Sequence, residues 1–170
     1  MHSNLNIRPL TPSDALAFQA LRLKSIADSP TSFWATYEEE AGRTESELRS
    51  RLEANASQVV FGAFHGPELI GAAGLRRETM RQVAHKGFLW GVCVDPDARR
   101  GGVARQMLAA LIEHARGIGL RQLNLGVNTS NTRALNLYHT LGFTSFGTEP
   151  GSTLVAGQLY DEELMYLQIA

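Results

Sequence analysis

Cysteine is almost absent from this chain. Cys93 stands alone, so no internal disulfide can form, and a reducing, cytoplasmic location is the default expectation. Long apolar runs are missing too: none approaches the ~18 residues of a membrane helix, and no charged-then-apolar leader opens the sequence. Neither sign of charge is in excess, with 16 basic against 17 acidic residues and a net charge of −1. That balance excludes the broad basic footprint of a nucleic-acid binder, though a local basic patch stays open. Repeats, low-complexity stretches and long linkers are also lacking. The 170 residues are therefore expected to form a single domain over 1–170 with a sizeable core.

What is present changes period along the chain. Residues 4–10 alternate as a short edge strand, with Leu5 and Ile7 on one side. Thr11-Pro12-Ser13-Asp14 combines a hydroxyl cap, an early proline and an acid three residues after the cap. It predicts a helix to about Asp28, ended by Ser29-Pro30. Residues 31–43 are aromatic and acidic, and Thr44-x-x-Glu47 is a second capping box, opening a short helix with Leu48 and Leu52 on one face.

From 57 the pattern becomes β-like. Runs at 57–65 and 68–77 flank Gly66-Pro67, a hairpin signal, and a further strand spans 84–95 before Pro96. Gly91 lies inside that strand and marks a bulge or a close backbone approach. A helix at 102–117, a strand at 121–127, a helix at 131–141 ended by Gly142, and two strands at about 143–148 and 157–168 follow. The order implies a mixed α/β sheet with crossover helices.

The stretch Val92-Cys93-Val94-Asp95-Pro96-Asp97-Ala98-Arg99-Arg100-Gly101-Gly102-Val103-Ala104-Arg105 carries the most chemistry. A strand stops, a loop supplies arginines and glycines, and a helix starts at once. Free amides at a helix N-terminus sit at the positive end of its dipole, and glycines let an anion come close. Arg99, Arg100 and Arg105 add charge and forked donors. A bare Arg-Arg-Gly-Gly reads equally well as a tight turn with solvated arginines. Neither a P-loop lysine nor a Gly-x-Gly-x-x-Gly is present.

At these residues the sequence resembles the GNAT superfamily of N-acetyltransferases, whose signature reads Arg/Gln-x-x-Gly-x-Gly/Ala after a Val-x-Pro strand end. Here Arg99 to Ala104 follow Val94-Asp95-Pro96. The resemblance implies the GNAT fold, a mixed, mostly antiparallel twisted sheet with a splayed strand pair between 84–95 and 121–127 and flanking helices. It implies acetyl-CoA as the acetyl donor and no metal. It also implies that the amides of residues 100–105, from Arg100 through Gly101, Gly102, Val103 and Ala104 to Arg105, wrap the CoA pyrophosphate. The backbone of Val92, Cys93 and Val94 would pair with the pantetheine arm.

Asn131-x-x-Ala134-x-x-Leu137-Tyr138-x-x-x-Gly142-Phe143 resembles a second family segment. Asn131 and Tyr138 lie two turns apart on one helix face, roughly 10 Å along the axis. The resemblance implies that Asn131 holds the pantetheine and that Tyr138 protonates the leaving thiolate. Taken alone, Tyr138 reads as a half-buried aromatic and Asn131 as a helix cap.

A base for the amine is not legible. Family members place a glutamate at positions that here hold Phe88 and Gly126. A water chain leads the substitutes, with His85 and the acids Glu38–Glu40 and Asp161–Glu163 behind it. His114 and His139 read as surface or structural, and Cys93 as a small packed side chain. Phe33, Trp34 and Tyr37 either wall the acceptor pocket or cap the core. The expected partner is a small-molecule or peptide amine, with no nucleic acid and no membrane, and a homodimer stays open. The alternatives are a non-catalytic CoA-binding sensor or regulatory module and a nucleotide-phosphate enzyme.

Overall fold

In the computed structural model of the protein, which describes residues 4–170, Leu5–Pro9 forms β1 and the chain enters its helices directly. A 3-10 turn at Pro12–Asp14 runs into α1, Ala15–Asp28, and Pro30 follows its end. α2, Tyr37–Ala41, is a short helix that apolar periodicity does not announce. Thr36 caps it, its hydroxyl accepting from the Glu39 amide while the Glu39 carboxylate accepts from the Thr36 amide. Thr44 and Glu47 make the same reciprocal pair at the start of α3, Glu45–Arg51.

Gln58–His65 and Glu68–Arg77 form the antiparallel hairpin β2 and β3, with Gly66 at φ +57 in its turn. β4, Lys86–Val94, is antiparallel to β3, α4, Val103–Gly117, crosses over, and β5, Gln122–Asn128, returns parallel to β4. α5, Thr132–Thr140, ends before Gly142, whose φ of +96 suits a residue without a β-carbon. β6, Thr144–Val155, and β7, Gln158–Gln168, close a seven-stranded sheet in the order β1-β2-β3-β4-β5-β7-β6. Only β4 and β5 pair in parallel among the described residues.

Helices cover both faces, which explains why β2 and β3 are apolar almost throughout. On one face α4 buries Met107, Leu108 and Leu111 completely, each contributing about 1.5–3 kcal/mol by leaving water. On the other, Phe18, Leu21 and Ile26 of α1 and Leu48 of α3 pack over Val60, Ala72 and Cys93.

One boundary departs from the sequence reading. β6 does not stop near 148 but continues to Val155, slipping register between Glu149 and Thr153. Pro150 sits inside this slip. β6 is an edge strand, so the missing amide costs no ladder bond on its open side.

Candidate functional site

β4 and β5 part company early. Lys86, Gly87 and Phe88 pair with Gln122, Leu123 and Asn124, and there the parallel ladder ends. Beyond Phe88, β4 keeps β3 on one side and, among the described residues, has no strand on the other. Gly91, at φ +61, forms the bulge that turns this strand, and the register with β3 jumps between Ala72 and Gly74. Val92 and Val94 are half-buried beside the opening. Cys93 points into the core, where burial raises its thiol pKa, which makes it a packed side chain and a poor nucleophile.

The turn after β4 is held from below. Lys24 of α1 donates to both carboxylate oxygens of Asp95 at 2.7 and 2.9 Å, and the Asp97 amide donates to Asp95 at 2.9 Å. Burial alone would raise the Asp95 pKa, but these donors outweigh it and hold the carboxyl below its usual range. Arg99 pairs with Asp28 at 2.6 Å, so its guanidinium is engaged by the protein's own acid. Arg100 is exposed at φ +70, and Gly102 heads α4 at φ +75 with no side chain capping the helix. No acid stands in the first turn of α4, and Val103 is buried while Arg105 is exposed. Gly101 and Ala104 are half-buried. Among the described residues no side chain caps the first amides of this helix.

α5 supplies the next pieces. Asn131 caps it, accepting from the Ala134 amide at 3.2 Å, and also donates to the Ser32 hydroxyl at 3.3 Å. Tyr138 is 6% exposed and packs edge-on against Phe143, with ring centroids 5.7 Å apart. Burial drives its pKa well above the ordinary phenol value, and the nearby Cys93 adds to the shift. Helix α5 thus brings a firmly neutral phenol close to β4.

A groove of about 610 Å³ opens between the end of α1, residues 33–38 and residues 152–156 at and just past the end of β6. Phe33, Trp34 and Tyr37 all line it, yet they differ. Phe33 also belongs to the core, whereas Trp34 is 72% exposed and Tyr37 is also exposed. Trp34 donates its indole N–H to Glu162 at 2.7 Å.

The positions weighed as bases separate clearly. His85 is exposed at the closed end of the strand pair, where β4 and β5 are still joined. Phe88 lies under the Arg76 guanidinium at 5.5 Å. Of Glu38–Glu40, Glu40 is fully buried and pairs with Arg22, Arg43 and Arg51, Glu39 caps α2, and Glu38 borders the groove. Asp161 accepts from the Gly151 amide, and Glu163 bonds Ser145. His114 packs on Phe61, and His139 is exposed.

Arg22 escaped the sequence reading, and Glu162 entered it only as one of the three acids Asp161–Glu163. Arg22 is 4% exposed, and its Nη1 is buried without a hydrogen-bond partner among the described residues. Glu162 is nearly as buried, and its Oε2 lies 2.6 Å from where a β-carbon at Gly126 would stand. Strand alternation was the one available signal, since it separates Glu162 from its neighbours Asp161 and Glu163.

A family model described as the acetyltransferase (GNAT) family matches residues 23–143. A mycothiol acetyltransferase from Streptosporangium roseum is 36% identical over 86 residues, which are 51% of this chain and 24% of that protein. The [ribosomal protein bS18]-alanine N-acetyltransferase of Escherichia coli is 39% identical over 61 residues, 36% of this chain and 41% of the relative. The chain thus matches less than half the length of either curated relative. Among solved structures, that of yncA from Salmonella typhimurium with acetyl-CoA superposes with a TM-score of 0.86 at 22% identity, covering 99% of this chain and 95% of that one.

Proposed function

The chain belongs to the GNAT acetyltransferase family and is an acyltransferase, and from that premise we propose that it moves the acetyl group of acetyl-CoA directly onto a primary amine of a small molecule or peptide. The observation that carries this reading is continuity. The edge of β4 left unpaired beyond Phe88 is joined by the short turn of residues 95–102 to the N-terminus of α4, which no side chain caps. An extended chain can add to that edge as a strand would, and a diphosphate at its end meets outward amides and the helix dipole.

In this reading the amides of Arg100 to Arg105 hold the pyrophosphate. Arg100 and Arg105 contribute charge from exposed positions, and Arg99, tied to Asp28, fixes the turn. Val92, Cys93 and Val94 offer backbone groups to the pantetheine, and Asn131 offers the amide hydrogen that Ser32 leaves free. A backbone N–H in the Val92–Val94 region stabilises the oxyanion of the tetrahedral intermediate, and proximity supplies much of the remaining acceleration. Tyr138 protonates the departing sulfur. Its raised pKa suits that role, because the phenol keeps its proton across the neutral range.

The acceptor occupies the groove walled by Phe33, Trp34 and Tyr37. Glu38 borders it, and Glu162 stands behind the Trp34 indole that lines it, which favours a cationic amine. The transfer needs no metal. We place the protein in the cytoplasm as a single domain, with a homodimer compatible. Thiol release from acetyl-CoA against a panel of polyamines, aminoglycosides, peptide N-termini and neutral amino acids tests the proposal. Turnover is expected with cationic acceptors. Tight CoA binding without turnover on any amine would leave a CoA-binding module in its place, and turnover confined to neutral amino acids would overturn the cationic acceptor.

A further inference from the structure

Gly126 stands two residues past Asn124, the last residue of β5 paired with β4, on the part of the strand that diverges from β4. Its missing side chain is not empty space. Glu162, in register with Asn128 on the neighbouring β7, extends its carboxylate into it, with Oε2 2.6 Å from the point a β-carbon would occupy. Trp34 covers this carboxylate from the groove side and donates to Oε1. Oε2 receives no hydrogen bond among the described residues, and no Lys, Arg or His forms an ion pair with it. The basic side chains Arg22 and Lys24 of α1 are committed elsewhere, Arg22 to Glu40 and Lys24 to Asp95.

Glu162 is 7% exposed, and Oε2, unlike Oε1, has no protein donor among the described residues, which leaves it able to accept a hydrogen bond from a ligand. Its position, at the divergence of β4 and β5 and behind the indole that lines the groove, selects which donor. We propose that Glu162 holds the acceptor amine through Oε2 and takes its proton as the new bond forms. This rests on the acetyl-transfer reading above and names the base that reading lacks.

The acceptor enters as the free amine, its ammonium having left one proton in solvent. As nitrogen forms the C–N bond, its acidity rises and one N–H proton passes to Oε2. The C–S bond breaks, and sulfur takes the phenolic proton of Tyr138. Solvent then removes the proton from Glu162 and returns one to Tyr138.

Glu162→Gln keeps the acceptor for the Trp34 indole and removes the base. Turnover should fall about 100-fold while CoA affinity is unchanged. Gly126→Ala is the second variant, because it leaves Glu162 in place and only pushes Oε2 aside; turnover should again fall, at an unchanged melting temperature. If the wild-type protein turns over an amine and both variants match it, Glu162 is not the base. If Glu162→Gln fails to fold, Gly126→Ala decides alone: lowered turnover supports the assignment, and unchanged turnover overturns it. If the wild-type protein releases no thiol with any amine, the acetyl-transfer reading itself has failed.

Discussion

Arg22 holds its Nη1 2.8 Å from the point where a β-carbon on Gly91 would stand. The guanidinium is fixed by Glu40 at 3.0 Å and lies within 6 Å of the rings of Phe18, Phe33 and Trp90. A helix of the N-terminal layer thereby presses on the bulge that opens the strand pair. Gly91→Ala would add both a left-handed strain and a collision with a buried cation. It should cost about 1–3 kcal/mol of stability and lower acetyl-CoA affinity together, read by denaturant unfolding and by titration of CoA.

Tyr138 packs through its ring, and its hydroxyl makes no hydrogen bond among the described residues. Tyr138→Phe should therefore leave the melting temperature unchanged. Its turnover should drop about 100-fold with CoA affinity retained. An unchanged rate would remove Tyr138 from the acid's role.

Arg100 holds a left-handed backbone at φ +70, a conformation that disfavours a side chain by about 1–2 kcal/mol. Arg100→Gly should maintain or slightly raise stability, because relief of strain offsets the added freedom of the unfolded chain. CoA affinity should nonetheless fall about tenfold as one charged donor is lost. Opposite movements of melting temperature and affinity would separate the arginine's charge from its backbone.

The Lys24–Asp95 clamp gives the turn a pH dependence. Asp95 has a depressed pKa in the folded protein, so its contribution to stability is complete above its unfolded value of about 4 and is lost as pH falls through the lower folded value. Unfolding free energies measured between pH 5 and pH 2 should fall in that acid range. In Lys24→Met the fall should be shallower, because the folded and unfolded pKa values then lie closer together.

The strand–turn–helix from Val92 to Arg105 was legible because its signals are local: a proline after the strand, adjacent glycines, and apolar residues at helical spacing. The same holds for α5 with its Asn131 cap and Gly142 stop. Glu162 was legible only as one of three consecutive acids, Asp161–Glu163, weighed together as a base, and alternation alone does not say which one is covered. That is decided by Trp34, 128 residues earlier in the chain, folding its indole over β7. Arg22 was hidden for the same reason, since its acid partner Glu40 and its aromatic neighbours Phe33 and Trp90 come from three other segments. β6 ran past its expected end because the penalty for Pro150 depends on sheet order, which local pattern does not encode.

That order also has a consequence for how the molecule is built. β7 comes after β6 along the chain but lies inside it, between β5 and β6. Until it is synthesised, β6 has no neighbour and β5 clings to β4 through three residues. A nascent chain at that stage bears a bare β5 edge, the kind of surface that invites mispairing. Insertion of one strand closes that edge and delivers Glu162 beside Gly126, so the same late event that ends the risk of aggregation also completes the groove.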